Sequence, residues 1–260
     1  MKPIAVAISG FAFCLATPSF GQNSCRAESG PGTAALVELY TSEGCSSCPP
    51  ADRELSQLRG KAGRNAVIIP LALHVTYWDR IGWKDGFAQK EFDLRQKLLA
   101  SHGKSRLVYT PQFFMNGREL RNWRGQFPDA IRKTNQKPAE ASVALTWTRA
   151  AGDTVQLEAV ATGRDPQARQ VLYLAVSESR LVSKVLRGEN GGATLMHDDT
   201  VRAWFPPVRL SRGRAQLHQA MRIPGNWNLQ NLQAVAFVQD LDDGIVQQAV
   251  SIGQCDPSRS

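Results

Sequence analysis

Apolar and polar residues change their period near the middle of the chain. Between Ala34 and Lys137, short apolar runs alternate with longer segments of helical period, in the order β-α-β-α-β-β-α. This order predicts a sheet covered by helices, parallel at first and antiparallel at its edge. Beyond residue 137, apolar residues recur at every second position, as at Val143, Leu145 and Trp147. That spacing is typical of antiparallel strands, so we predict a β-sandwich in the second half.

These runs predict two folded domains and their elements. We expect an α/β domain over residues 22–137 and an antiparallel β-sandwich domain over residues 138–260. Asn116-Gly117 and residues 242–244 are predicted hairpin turns. Strands are expected over residues 35–40, 66–75, 112–115, 119–121, 171–176, 200–205, 215–223, 234–239 and 245–252, and helices over residues 52–59, 86–101 and 127–134.

The first 21 residues have the pattern of a signal peptide. A positive charge at Lys2 precedes an uncharged apolar run over residues 4–16, and Ser19 and Gly21 are small residues of the kind that a signal peptidase requires. The run is shorter than the roughly 20 residues needed to cross a bilayer. We therefore predict a signal peptide over residues 1–21 and an exported protein, periplasmic or secreted, without stable membrane insertion.

The composition is that of an ordinary globular protein. Of 260 residues, 42% are hydrophobic and 21% are charged, which excludes a disordered or collagen-like chain. The formal net charge is +8, but the sequence contains no basic run interleaved with aromatic residues. Together with export, this argues against nucleic acid as a partner.

Cys45 and Cys48 lie where the first predicted strand ends and the first predicted helix begins. Two intervening residues bring both sulfur atoms onto one turn, where they either close a disulfide or present one thiolate near a helix N-terminus. We assign Cys45 as the nucleophile and Cys48 as the resolving thiol. Pro49-Pro50 predicts that the helix begins at or just before Pro50, with Cys45 ahead of it. An inert disulfide, or a metal site with His74 as a third ligand, remain alternatives.

Several segments together resemble a known family. They are similar to the secreted thioredoxin-like domain-of-unknown-function family 1223 (DUF1223). The resemblance implies an α/β thioredoxin-like domain followed by the antiparallel β-sandwich. As in the thioredoxin superfamily, it also implies that Pro111 is cis and shapes the site, and that the backbone of Thr110 pairs with an extended substrate. The matching segments are residues 37–52, 74–79, 82–85, 109–112, 187–192, 197–202 and 234–239.

Four further candidate residues follow the second predicted strand. Because the carboxyl ends of parallel strands gather on one side of a sheet, residues after this strand are expected near Cys45. We expect Trp78 and Trp83 to wall the dithiol and bind substrate, and Asp79 and His74 to transfer protons. The alternative is a packed loop with a turn-forming Asp79 and a hydrogen-bonded structural His74.

Cleavage of the signal peptide leaves four cysteines, and an even number in an oxidising compartment favours pairing. Cys25 and Cys255 lie near the two ends of the chain, and we predict that they form a structural disulfide. The alternative makes Cys25 an accessory thiol for Cys45. The polar segments 187–192 and 197–199 either line a cleft toward the dithiol or simply connect strands.

The sequence therefore predicts an exported thiol–disulfide oxidoreductase with a redox-active Cys-x-x-Cys dithiol. Its partners would be protein or small-molecule thiols and disulfides, and no organic cofactor or metal is expected. One alternative is a non-catalytic thioredoxin-like binding module of the cell envelope. Another is a periplasmic metal-handling protein.

Overall fold

The computed structural model describes residues 24–61 and 65–253; the predicted signal peptide and Cys255 lie outside the described residues. The strands are β1 Ser24–Glu28, β2 Ala35–Thr41, β3 Ile68–His74, β4 Gln112–Met115, β5 Arg118–Glu119, β6 Ala141–Arg149, β7 Thr154–Gly163, β8 Gln170–Glu178, β9 Leu181–Lys184, β10 Thr194–His197, β11 Thr200–Trp204, β12 Val208–Arg209, β13 Arg214–Arg222, β14 Leu232–Asp240 and β15 Val246–Gly253. The α-helices are α1 Pro49–Lys61, α2 Lys90–His102 and α3 Phe127–Asn135, and short 3-10 helices cover Thr76–Ile81 and Leu229–Asn231.

Most of the described residues lie in β-sheets. The larger sheet has the strand order β15-β14-β8-β11-β3-β2-β4-β5, and β12 pairs with β8. Strand β2 is buried along its whole length. It pairs in parallel with β3, from Ala35 opposite Ile68 to Thr41 opposite His74, and antiparallel with β4. The N-terminal strands are thus parallel first and antiparallel at the edge, as expected.

Helices cover both faces of the N-terminal part of this sheet. Leu55 of α1 and Ile131 of α3 belong to the apolar cluster on one face, and Phe92 of α2 belongs to the cluster on the other. Helix α1 begins at Pro49, where a missing N–H leaves no helical hydrogen bond unmade. It continues to Lys61, beyond residue 59, where we had expected it to end.

Strands from the second half continue the larger sheet. Thr200 of β11 pairs in parallel with Ala72 of β3, and β8, β14 and β15 follow antiparallel. Conversely, β1 pairs with β6 in a four-stranded antiparallel sheet, β1-β6-β7-β13. Both sheets therefore draw strands from both sides of residue 137. Without β11, β3 would leave backbone groups unpaired at a sheet edge, which explains why the second half joins the first.

The four-stranded sheet packs on one face of β8 and β14. Leu172 and Leu174 of β8 belong to the apolar cluster between the two sheets. Tyr173 and Ala175 belong to the cluster that also contains Phe92 of α2. Alternate residues of β8 thus serve two cores, which is why this strand is buried along its whole length and apolar over residues 171–176.

Arg95 of α2 forms a buried ion pair with β2 and also contacts aromatic rings on the strands of the second half. Arg95 Nε lies 2.6 Å from Glu38 Oε2, and both side chains are buried. The guanidinium carbon lies 4.7 Å from the ring centroid of Tyr173, 5.0 Å from that of Trp204 and 4.9 Å from that of Phe237. Pairing and stacking together offset the cost of burying this charge.

Candidate functional site

Cys45 and Cys48 form a disulfide at the start of α1, and both residues are 0% exposed. Their Cα atoms are 5.4 Å apart. The N–H of Cys45 donates to the carbonyl of Ser42 (3.1 Å), and the carbonyl of Cys48 accepts from Asp52 N–H (3.0 Å). Cys45 therefore lies in a turn ahead of the helix, and Cys48 lies at the helix start.

The Thr110–Pro111 peptide bond is cis, as the family resemblance implies. Gln112, the next residue, pairs with Tyr40 of β2. This register places Pro111 at the end of β2 that leads to Cys45. The hydroxyl of Thr110 is buried beside the hydroxyl of Tyr77.

His74 ends β3 beside the end of β2, as expected, and it contacts a carboxylate that the sequence analysis did not assign. Its Nδ1 atom lies 2.7 Å from Asp85 Oδ2. Burial lowers the pKa of His74, but the attraction of Asp85 outweighs burial and raises that pKa above its usual value. For Asp85 the effect of burial is the opposite and raises the pKa, but His74 and backbone N–H groups outweigh it and lower that pKa below its usual value. The two side chains therefore form a charged pair.

Asp79, our expected proton-transfer residue, does not contact His74. Its Oδ1 atom accepts a hydrogen bond from the backbone N–H of Asp85 at 3.2 Å. Burial raises the pKa of Asp79, and that backbone hydrogen bond partly offsets the effect. In the structure Asp79 thus holds the loop that delivers Asp85 to His74.

Glu43, two residues before Cys45, is a second buried carboxylate. Its backbone N–H donates to Asp85 Oδ2 (2.9 Å), and Trp83 Nε1 donates to its Oε2 (2.7 Å). His197 Nε2 lies 3.3 Å from its Oε1. Burial raises the pKa of Glu43, but His197, Ser183 and Trp83 together lower it below the usual value. Glu43 is therefore a carboxylate anion beside the dithiol turn.

Asp52 is a third buried carboxyl group, in the first turn of α1. Burial raises its pKa, and the nearby His74 and His197 only partly oppose the effect. Its carboxyl group lies beside the hydroxyl of Thr41, which also partly opposes the effect of burial. Because the Asp52 N–H binds the Cys48 carbonyl, this carboxyl group lies within one helical turn of Cys48.

The two tryptophans lie beside the segment that precedes Cys45. A Cβ atom built on Gly44 would lie 3.5 Å from Trp78 Cβ, so the Trp78 side chain packs against that glycine. The indole of Trp83 donates to Glu43. The structure thus brings both residues to the dithiol turn.

A loop from the second half also reaches the dithiol. The side-chain amide of Asn190 donates to the carbonyls of Glu43 (2.8 Å) and Cys45 (3.0 Å). The Glu189 carboxylate accepts from the N–H (3.0 Å) and hydroxyl (2.7 Å) of Ser46. Of the two interpretations of residues 187–192, the structure therefore favours the one that directs them toward the dithiol.

Cys25 lies in β1 and is disulfide-bonded. It is not joined to Cys45, because Cys45 is bonded to Cys48. Cys255 lies outside the described residues, so its pairing with Cys25 stays a prediction.

A structural metal site would need three or four converging ligands. Within residues 24–61 and 65–253, no group of three or more His, Cys, Asp or Glu side chains is arranged to hold a metal ion.

Two solved structures have a similar fold. HBP35 of Porphyromonas gingivalis has a TM-score of 0.68 and 15% identity, over 86% of this chain and 76% of that chain. A crystal structure of a protein from Agrobacterium tumefaciens has a TM-score of 0.56 and 22% identity, over 86% of this chain and 95% of that chain. A family model described as a protein of unknown function (DUF1223) matches residues 36–239. Among curated proteins, none matches the chain.

Proposed function

The chain belongs to the DUF1223 family, and we propose that it is an exported thiol–disulfide oxidoreductase of thioredoxin-like fold. The observation that carries the proposal is the disulfide between Cys45 and Cys48 at the start of α1. The cis Thr110–Pro111 bond, at the same end of the sheet, supports it. A dithiol at a helix start is placed where the helix dipole favours a thiolate.

The proposed reaction is thiol–disulfide exchange. The Cys45 thiolate attacks one sulfur of a partner disulfide, and the other partner sulfur leaves as a thiolate that takes up a proton. The Cys48 thiolate then attacks Cys45 Sγ, which releases the first partner sulfur and forms the Cys45–Cys48 bond. Two electrons pass from the protein to the partner, and the reverse sequence oxidises a partner dithiol.

Two buried acidic groups support the proton steps. Cys48 must lose its proton before it attacks, and Asp52 is an acceptor one helical turn away whose pKa burial raises toward that of a thiol. The charged pair of His74 and Asp85 lies at the same end of the sheet. We assign proton transfer to Asp52 and His74, and a positioning role to Asp79.

Substrate contacts are proposed for Thr110, Trp78 and Trp83. Trp78 Nε1 is buried and without a hydrogen-bond partner in the described part of the protein. Buried polar atoms ordinarily have such a partner, so this indole N–H is a candidate for contact with a bound thiol or disulfide. Thr110 is proposed through its backbone, which adjoins Pro111 at the end of the sheet near Cys45.

Export is proposed from the N-terminal sequence pattern over residues 1–21. An oxidising compartment would suit the Cys45–Cys48 disulfide. Within the described residues, no helix is long and apolar enough to cross a membrane.

A second candidate function is that of a binding module with a purely structural disulfide. The complete burial of Cys45 and Cys48 favours it, because an inert disulfide needs no access. The hairpin β9–β10 also exposes Val182 (61%) and Met196 (72%), which pair across its two strands. In this alternative, such a surface would bind the partner.

Equilibration of the protein with a glutathione redox series separates the two functions. The fraction of Cys45–Cys48 disulfide is measured by alkylation and mass spectrometry. A reversible midpoint between about −120 and −270 mV, the range of known oxidoreductases, is the result expected for the enzyme. A disulfide that persists below about −300 mV would be structural and would overturn the proposal. The variant with both cysteines replaced by Ser is the control for other thiols.

A further inference from the structure

The segment Arg187–Gly192, here called the strap, is held against the dithiol turn. Cys45 is fully buried, yet exchange requires direct contact between an incoming sulfur and Cys45 Sγ. The enclosed disulfide therefore has to become accessible before it reacts. Among the segments of the second half, the strap is hydrogen-bonded directly to the turn that carries Cys45.

The strap is bonded to the backbone on both sides of Cys45. Asn190 binds the carbonyls of Glu43 and Cys45, and Glu189 binds the N–H and hydroxyl of Ser46. These are the backbone positions that must shift when Cys45 turns outward to form a mixed disulfide. These bonds join segments about 145 residues apart in the chain. A loop that only connected β9 to β10 would not need them.

The strap is built as a closed loop with a fixed base. The N–H of Val185 donates to the carbonyl of Ala193 (2.9 Å), and the N–H of Gly192 donates to the carbonyl of Val185 (2.8 Å). Val185 is itself buried. Gly188 has φ +76°, and a Cβ atom built there would lie 3.2 Å from Trp83 Cβ, so glycine allows the close approach. The loop can thus lift from the dithiol turn while its base on β9 and β10 stays in place.

We propose that the strap controls access to the dithiol. The hydrogen bonds of Asn190 hold it closed most strongly, and those of Glu189 hold it more weakly. This inference rests on the proposed redox function. Glu189 is exposed, and exposed charged contacts hold weakly, so its bond to Ser46 is readily released. Asn190 is partly buried and makes two bonds, so it holds the turn in place. Both are positioning residues, because they act on the backbone of the turn and not on a sulfur atom.

The test is the rate at which dithiothreitol reduces the Cys45–Cys48 disulfide in the full chain. A dithiothreitol thiolate attacks Cys45 Sγ, and the Cys48 thiolate leaves and takes up a proton. The second dithiothreitol thiol then displaces Cys45, so that the reagent is oxidised to its cyclic disulfide. We expect N190A to accelerate reduction about fivefold, the effect of removing one net hydrogen bond. E189Q should accelerate it by about twofold, as expected for a weak exposed contact.

Asn135 provides a matched control. Its side-chain amide donates to the carbonyls of Thr33 (2.9 Å) and Val67 (3.1 Å), as that of Asn190 does to two carbonyls, and its Oδ1 also accepts from the N–H of Val67 (3.0 Å), all away from the dithiol. N135A should leave the reduction rate unchanged, even where it lowers the melting temperature. Because the strap acts on access, N190A should also leave the glutathione midpoint unchanged.

A wild-type reduction rate in N190A would overturn the strap proposal, as would an equal acceleration in N135A. A shifted midpoint without a faster rate would instead show that Asn190 changes the relative stability of the two redox states. The glutathione midpoint of the wild type alone decides the proposed function. Failure of the strap proposal and failure of the redox proposal are therefore distinguishable.

Discussion

His74 Nδ1 and Asp85 Oδ2 lie 2.7 Å apart in the interior of the protein, where both side chains are no more than 1% exposed. Asp85 also accepts hydrogen bonds from the N–H groups of Glu43 (2.9 Å) and Phe87 (2.9 Å). One carboxylate therefore ties the end of β3 to the segment that precedes Cys45. Removal of one partner from a buried pair of this kind leaves an uncompensated charge in the interior, which destabilises the folded protein.

Replacement of Asp85 by Asn should lower the free energy of unfolding by about 3 kcal/mol, because it leaves a buried histidine without its counter-charge. The raised pKa of His74 contributes stability below about pH 6.5 that is lost as the pH rises through the folded-state pKa. The lowered pKa of Asp85 contributes stability above about pH 4 that is lost as the pH falls through its folded-state value. The difference in unfolding free energy between the wild type and D85N, measured with urea, should therefore be largest between about pH 4 and 6.5.

Asp79→Asn is the control for this experiment, since the Asp79 carboxylate accepts a hydrogen bond from the backbone N–H of Asp85 and not from the His74 ring. We expect a loss below about 1 kcal/mol for this half-exposed contact. NMR titration of His74 should show a lowered pKa in D85N and a nearly unchanged one in D79N. An unchanged His74 pKa in D85N would contradict the charged pair.

The assignment of Cys45 as nucleophile and Cys48 as resolving thiol predicts different behaviour for the two single variants. Reduced C48S, mixed with oxidised glutathione, should accumulate a stable mixed disulfide at Cys45, because the thiol that would release the partner is missing. Reduced C45S should accumulate much less. Intact-mass measurement after acid quenching checks both, and the reverse pattern would exchange the two roles.

Much of the local structure followed from the sequence, because local physical rules specify it. The alternation at Val143, Leu145 and Trp147 is a property of one strand, and a two-residue spacing suffices to place Cys45 and Cys48 on one turn. Such features require no knowledge of distant residues. The thioredoxin-like assignment itself came from the family resemblance and stays a proposal.

The missed residues depend on contacts between distant segments. Asp85, Asn190 and Glu189 are of residue types that are common in turns. The spacing of apolar residues does not show whether such a residue only forms a turn or also binds a distant segment. The role of Asn190 and Glu189 appears only because β11 pairs with β3 and brings the hairpin β9–β10 to α1, and that of Asp85 only because its loop folds back onto His74. The available signal was the resemblance of residues 187–192 and 197–202 to the family, which singled out these polar loops without giving them a partner.

Gly117 closes the hairpin between β4 and β5 with φ +83°. A Cβ atom built on it would lie 1.9 Å from the carbonyl oxygen of Gly244. Gly117→Ala should therefore lower the free energy of unfolding by at least about 2 kcal/mol, through both strain and the clash. Gly30→Ala is the control, since a Cβ there would meet nothing within 4 Å. Equal stability of the two variants in urea would contradict this close approach.

Asp199, at the turn into β11, is paired with Arg59 of α1 at 2.9 Å, and it is buried. Burial raises the pKa of Asp199 to about 6, although Arg59 opposes the effect. Between about pH 4 and 6 the folded protein therefore holds a proton that the unfolded chain has lost, so this residue's contribution to stability falls as the pH rises. Two pKa units correspond to a decrease of up to about 3 kcal/mol over that window.

Asp199→Asn should remove this pH dependence, and asparagine tolerates the local φ of +52°. Relative to the wild type, the variant should gain stability steadily from pH 4 to pH 6 and then keep a constant difference, as measured by urea unfolding at four pH values. Arg59→Met should move the wild-type window to higher pH, because Arg59 lowers the pKa of Asp199. Parallel stability curves for D199N and the wild type would show that Asp199 is already ionised throughout the window, and that its pairing with Arg59 outweighs its burial.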